Sequence, residues 1–137
     1  MNISSRCEYG CRAVLELAGR EQSPTPLTAE AIAERRHIPE KFLVHILLQL
    51  KRAGIVRSVR GAHGGYLLAR PPEDITLLDI VQAIDGPIFE PLPVRDSGSR
   101  GMAPTWREAA KGIEKVLEAA TVRSIVDLAA KSSMYYI

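Results

Sequence analysis

The sequence predicts a mainly α-helical fold with one small β-hairpin, and three observations lead there. Apolar residues recur at helical spacing in six stretches, three of them opened by a capping-box signature. One pair of short apolar and β-branched runs flanks a glycine-rich turn. A long C-terminal stretch repeats its apolar residues about every 3.5 positions, the period of a helix–helix seam. The chain has 137 residues, 46% apolar and 25% charged, the ordinary balance of a folded protein. That length suits one domain with a modest core, or a small domain plus an arm.

The elements follow in order. Ser5-Arg6-Cys7-Glu8 has the spacing of a capping box, and Tyr9, Ala13, Val14, Leu17 and Ala18 continue at helical spacing to about Gly19. After a polar, proline-containing loop over Glu21–Pro26, Leu27-Thr28 opens a shorter helix with Ala29, Ile32 and Ala33 inward, ending near Arg35–His37. Pro39 suits the first turn of a third helix, whose core stripe is Leu43, Ile46, Leu47 and Leu50 and whose stop is Gly54. IVRSVR, the turn GAHGG and YLLAR form the hairpin, closed by Pro71-Pro72. Thr76-Leu77-Leu78-Asp79 is a second capping box, starting a helix that stops at Gly86-Pro87.

Residues 86–104 hold four prolines and three glycines and are expected to be an irregular loop. Thr105-Trp106-Arg107-Glu108 is a third capping box, and Trp106, Ala110, Ile113, Leu117 and Ala120 follow at steps of 4, 3, 4 and 3. Thr121 is expected to cap a last helix holding Ile125, Val126, Leu128 and Ala129. The expected organisation is thus a head over residues 1–85, a loop over 86–104, and a dimerisation helix with a terminal helix over 105–137.

Three helices followed by a hairpin make the head a winged helix-turn-helix. Its charge agrees: residues 1–70 carry a net +5, while residues 71–137 carry −3, as expected of a polyanion-binding head joined to a separate module. Opposite the core stripe, the third helix presents Lys41, His45, Leu48 and Arg52, with Lys41 and His45 near the end that such helices insert into the major groove. In the hairpin turn, Arg60 and His63 stand among Gly61, Gly64 and Gly65, so the backbone can approach another surface closely. A guanidinium on such a tip suits a narrow minor groove. The competing readings are a solvated helix face and a plain turn.

The segments ISSRCEYGCRAVLELA and LTAEAIAERRHIPEKFLVHILLQLKRAGIVRSVRGAHGGYLLARPPEDITLLDIVQAIDG resemble the Rrf-two family of bacterial transcription regulators, of the IscR, NsrR and CymR type. The similarity is densest in AGIVRSVRGAHGGYLLAR. It implies a homodimer on a pseudo-palindromic double-stranded DNA operator, each long helix crossing to the partner subunit. It also implies that Lys41, Phe42 and His45 contact base edges, that Arg60 is the wing arginine, and that Thr28 begins a helix facing phosphates. Val44 and Leu48, at positions that vary within the family, suit thymine methyl groups. The partner-facing seam is Trp106, Ala110, Ile113, Leu117 and Ala120.

Cluster-binding members of that family carry three cysteines between the fourth helix and the long helix. Here that segment has none, and Glu90, Arg95 or Asp96 cannot take the place of thiolates. The expectation is a regulator with no iron–sulfur cluster, no other cofactor and no metal. Its signal would come from an effector small molecule or a partner protein, the alternative being a constitutive repressor with a vestigial loop. Cys7 and Cys11, at i and i+4, are read as packing residues; the alternative is a thiol- or metal-responsive pair. Enzyme fingerprints are missing, so an enzyme is not expected, and a helical protein-interaction module dimerised through Trp106 is the competing class. No apolar run approaches the roughly 18 residues of a membrane span. The first twelve residues lack an apolar signal region, so the expected address is cytoplasmic.

Overall fold

The computed structural model describes residues 2–20, 24–88, 98 and 100–135. Glu90, Arg95 and Asp96 lie outside them, as does most of the expected loop. The described elements are α1 (Ser5–Ala18), α2 (Ala29–Arg36), α3 (Glu40–Arg52), β1 (Val56–Val59), β2 (Gly65–Leu68), a short 3-10 turn (Pro72–Asp74), α4 (Leu77–Asp85), α5 (Met102–Ala119) and α6 (Val122–Tyr135). The mainly helical fold with a two-stranded wing is as the sequence predicts.

One apolar core joins all the helical layers. It contains Val14 and Leu17 of α1, Ile32 of α2, the full Leu43, Ile46, Leu47 and Leu50 stripe of α3, Ile80 and Ile84 of α4, and Val122 at the start of α6. Ile55 and Ile75, on either side of the hairpin, complete it. Burying each such aliphatic side chain is worth roughly 1.5–3 kcal/mol, so this cluster is what holds the helices at fixed angles.

The ends of the helices show why they stop where they do. Ser4, not Ser5, caps α1: its Oγ accepts the Cys7 N–H at 3.0 Å and donates to Asp85 Oδ1 at 2.6 Å. That second bond, to the end of α4, decides between two adjacent serines. Thr28 caps α2 as expected, accepting the Ala31 N–H at 3.2 Å. Pro39 is the cap residue of α3 rather than part of its first turn.

α3 closes as a Schellman motif. Gly54, at φ 75°, sends its N–H to the Lys51 carbonyl, and Ile55 sends its own to Leu50. The motif turns the chain straight into β1.

β1 and β2 pair antiparallel with Val56 opposite Leu68 and Val59 opposite Gly65. A two-stranded hairpin is marginal alone; here Leu27 pairs with the free edge of β2, exchanging hydrogen bonds with Tyr66 at 3.1 and 2.7 Å. The approach is so close that a Cβ on Gly65 would collide with the Leu27 carbonyl, and one on Gly64 with the Val59 carbonyl.

The Thr76–Asp79 capping box forms in both directions, at 3.0 and 3.1 Å. The Thr105–Glu108 box does not. α5 starts earlier, at Met102, because Gly101 adopts a left-handed turn (φ 85°) and Pro104 in the first turn has no N–H to satisfy there. Thr105 instead donates its hydroxyl to the Gly101 carbonyl at 2.8 Å. Residues 102–104 therefore belong to the long helix and not to the loop, and Ala120 follows the helix instead of ending it. Thr121 caps α6 as expected, accepting the Ser124 N–H at 3.0 Å.

The C-terminal helices are not set apart from the head. Leu77 donates to the Ala120 carbonyl and Val122 to the Ile75 carbonyl, both at 2.8 Å, so the α5–α6 junction is stitched beside the start of α4. α6 then packs on α1 and the 3-10 turn.

His37, which ends α2, is left-handed (φ 55°, ψ 49°) and is the one non-glycine residue at positive φ among the described residues. Its Cβ strains that conformation. Exchanging His37→Gly is expected to raise stability by up to about 1 kcal/mol, seen as a higher urea midpoint at unchanged slope.

Candidate nucleic-acid interface

The core stripe of α3 fixes which of its residues face outward. Lys41, Val44, His45, Leu48 and Arg52 are exposed, and the two aliphatic side chains are left open to 56% and 42%. Apolar side chains one helical turn apart on an outward face offer a surface that a partner can cover, and a thymine methyl suits it.

Phe42 is placed differently from the other predicted contacts. Its ring stacks on Tyr9 of α1, centroids 6.3 Å apart at 21°, while Lys41 Nζ lies 5.0 Å from its centroid and the Arg12 guanidinium 5.3 Å from that of Tyr9. Phe42 is thus braced at the start of α3 while remaining 39% exposed. Tyr9 and Arg12 carry this brace, and sequence reading gave them no such part.

Arg12 also donates to the Arg36 and His37 carbonyls at 3.3 and 3.4 Å, holding the last turn of α2. The only hint in the sequence is the Glu8–Arg12 spacing, which forms a 3.4 Å ion pair.

Cations divide into two groups. Arg35 and Arg36 both reach Glu16, at 3.6 and 3.0 Å, and Arg70 at the wing root reaches the Gly54 and Asp74 carbonyls and Asp79. These are structural. Among the described residues, Lys41, Lys51 and Arg52 of α3 and Arg57 and Arg60 of the hairpin have no carboxylate partner, and all five are exposed.

Arg60 and His63 sit in the connection between β1 and β2, both exposed. Thr28, exposed at the start of α2, lies beside this hairpin because its neighbour Leu27 pairs with Tyr66. The N–H groups of that first helical turn suit an anion. Thr28, Lys41, His45, Arg60 and His63 are thus carried by elements tied to one another through α3, the hairpin and the Leu27 pairing.

The predicted seam splits. Ile113 and Leu117 pack on this chain's own core, and Ala110 and Ala120 are half-buried. Trp106 stays half exposed, and with Met102, Val116 and Leu128 it makes up the exposed large apolar residues of the two C-terminal helices.

A match to the model of the Rrf2 family, described as "Iron-dependent Transcriptional regulator", spans residues 3–128. The chain belongs to the Rrf2 family. Similar proteins include the HTH-type transcriptional regulator CymR of Bacillus subtilis, 31% identical over the whole of both chains. A putative rrf2-like regulator of Rhodobacter capsulatus is 48% identical over 66% of this chain and 61% of its own. Among solved structures, CymR, the global cysteine regulator of B. subtilis, superposes with TM-score 0.76 at 30% identity over 93% of this chain and 98% of its own. T. potens IscR gives 0.77 at 33% identity over 99% and 97%. The chain is a DNA-binding transcriptional regulator of the winged-helix type, and not an enzyme.

The family description names iron, and the residues here do not fit an iron–sulfur cluster. Such clusters hang on thiolates, commonly four. This chain has two cysteines in all, Cys7 and Cys11. Cys7 is 1% exposed within the core and Cys11 packs against that core. Among the described residues no group of three His, Cys, Asp or Glu side chains is placed to hold a metal ion.

The two thiols lean on each other: the hydrogen bond to Cys7, with burial, pushes Cys11 far above the usual thiol range, while the same bond holds Cys7 lower. Cys7 is shielded by its burial at 1% exposure and Cys11 is held as the thiol, so both are expected to react slowly with Ellman's reagent at pH 8 in the native protein and promptly once unfolded in guanidinium. Fast native reaction of either would contradict this packing.

Proposed function

We propose that the protein is a homodimeric repressor. It reads a pseudo-palindromic operator with α3 in the major groove and Arg60 in the flanking minor groove, and uses no iron–sulfur cluster. The observation that carries this reading is the division of the cations. Those of α1 and α2 are spent on carboxylates and carbonyls, while those of α3 and the hairpin are exposed without a carboxylate partner. Exposed cations on a protruding helix and a glycine-built tip suit a polyanion, whose condensed counterions they displace.

Lys41 and His45 meet base edges at the start of α3, and Val44 and Leu48 offer aliphatic surface to thymine methyls. Phe42 acts through its brace on Tyr9, aiming that helix end. Thr28 sets the first turn of α2 toward a phosphate. His63 accompanies Arg60 at the tip. Among the described residues no helix is long and apolar enough to cross a membrane; a chromosome-binding role gives a cytoplasmic address.

The dimer forms through the face of α5 on which Met102 and Trp106 are exposed, and carries the two recognition helices to half-sites about one DNA turn apart. The signal enters through a small-molecule effector or a partner protein.

Fluorescence anisotropy on fragments from the gene's own flanking DNA tests the reading. Affinity is expected to fall steeply between about 50 and 200 mM salt, and Arg60→Ala to cost about 1–3 kcal/mol. Equal weak binding to every fragment would refute a specific operator.

The dimer claim has its own test. Trp106→Ala is expected to shift light-scattering mass toward monomer, since large interface aromatics act as energetic anchors. The exposed ring can be removed without opening the core. A dimer of unchanged affinity would place the interface elsewhere.

A further inference from the structure

On the side of the head where the hairpin is rooted, a groove of about 320 Å³ runs between the end of α1, Pro24 ahead of α2, and the two strands. Leucine and proline side chains, among them Leu17, Leu67 and Pro72, form its apolar wall, and three arginines line it: Arg20, Arg57 and Arg70. None of the described lining residues is acidic.

The three guanidinium groups differ in what they have left to offer. Arg70 is committed to the Gly54 and Asp74 carbonyls at 3.2 and 3.0 Å. Arg20 donates one Nη2 bond to Thr25 Oγ1 at 2.9 Å, but its Nε is buried with no hydrogen-bond partner. The Arg57 guanidinium has neither a hydrogen bond nor an ion pair among the described residues. A buried N–H without an acceptor is a standing cost that an incoming acceptor removes. Guanidinium groups hold carboxylates and phosphates alike by paired hydrogen bonds. The leucine and proline wall selects an apolar body behind that head, and the volume fits a small molecule.

We propose that this groove binds a small organic carboxylate, its head on Arg57 and Arg20 and its apolar body against Leu17, Leu67 and Pro72. Both strands of the hairpin and the approach to α2 border the groove, so occupancy stiffens the wing against the start of α2. That regulatory consequence rests on the operator reading above; the binding itself does not.

NMR titration of the full-length ¹⁵N-labelled protein tests binding directly, with benzoate as the probe, benzyl alcohol as its uncharged counterpart and inorganic phosphate as a head without a body. Benzoate is expected to shift the Arg57, Leu67 and Ala69 amides saturably, with little response to the other two compounds. Arg57→Gln, on an exposed strand position, is expected to weaken benzoate about tenfold, while Arg60→Gln at the wing tip leaves it unchanged. Equal response to benzyl alcohol or to phosphate overturns the proposal. So does an Arg57→Gln protein that keeps its folded spectrum and binds benzoate as the parent does. Benzoate shifts confined to other surfaces, or none at all, also overturn it. Because operator binding is measured separately, failure of one reading is distinguishable from failure of the other.

Discussion

The paired hydrogen bonds between Leu27 and Tyr66 are the joint on which the DNA-reading head depends. Two short strands do not hold a direction in water by themselves. Pairing Leu27 to the free edge of β2 turns the hairpin into a fixed projection and sets the start of α2 beside it. The demand this makes on sequence is sharp. Gly65 must lack a Cβ for the Leu27 carbonyl to come so near, and Leu27 is itself buried at 6% exposure, so the joint is anchored in the core as well as in the backbone. At the other end of the hairpin the Schellman turn of α3 and the Arg70 bonds to Gly54 and Asp74 fix its root. The wing is held at both ends, and only the Arg60–Gly64 connection projects.

Electrostatics completes what the packing begins. A count of charges says that the first half of the chain is basic, but the four arginines of α1 and α2 are matched by four glutamates, and Glu8 and Glu16 pair with three of them. These pairs are partly exposed, and exposed ion pairs contribute little to stability. Their effect is on placement: they draw the α2 cations toward α1, leaving the exposed positive charge on α3 and the hairpin. The brace of Arg12, Tyr9, Phe42 and Lys41 extends the same logic, with a cation at each end of two stacked rings.

Much of this was legible in the sequence, and where it was not the reason is tertiary. The Leu43, Ile46, Leu47 and Leu50 stripe, the Gly54 stop and the Thr76 box are local patterns, and local patterns survive folding when nothing distant competes. Ser4 displaces Ser5 because Asp85, 81 residues away, offers it a second bond. The Thr105 box gives way because Gly101 lets the helix start a turn earlier. Periodicity exposed a stripe from Trp106 to Leu117 but could not say what covers it, and its C-terminal half lies on the chain's own core. Within the candidate interface, Lys41, His45, Arg60 and His63 were readable as outward residues, whereas the Tyr9 and Arg12 support was not. Their contacts are made across helices and leave no periodic trace.

The stitch between residues 75–77 and 120–122 has a consequence for how such a protein can be divided or inherited. Val122 is wholly buried and donates its N–H to the Ile75 carbonyl, while Leu77 donates to the Ala120 carbonyl. A gene fragment ending after α4 would encode a head with an open seam in its floor. Recombination that borrows the head must borrow the tail with it, so descendants can diversify in the residues of α3 and along the open face of α5, while the junction between them stays a single hereditary unit.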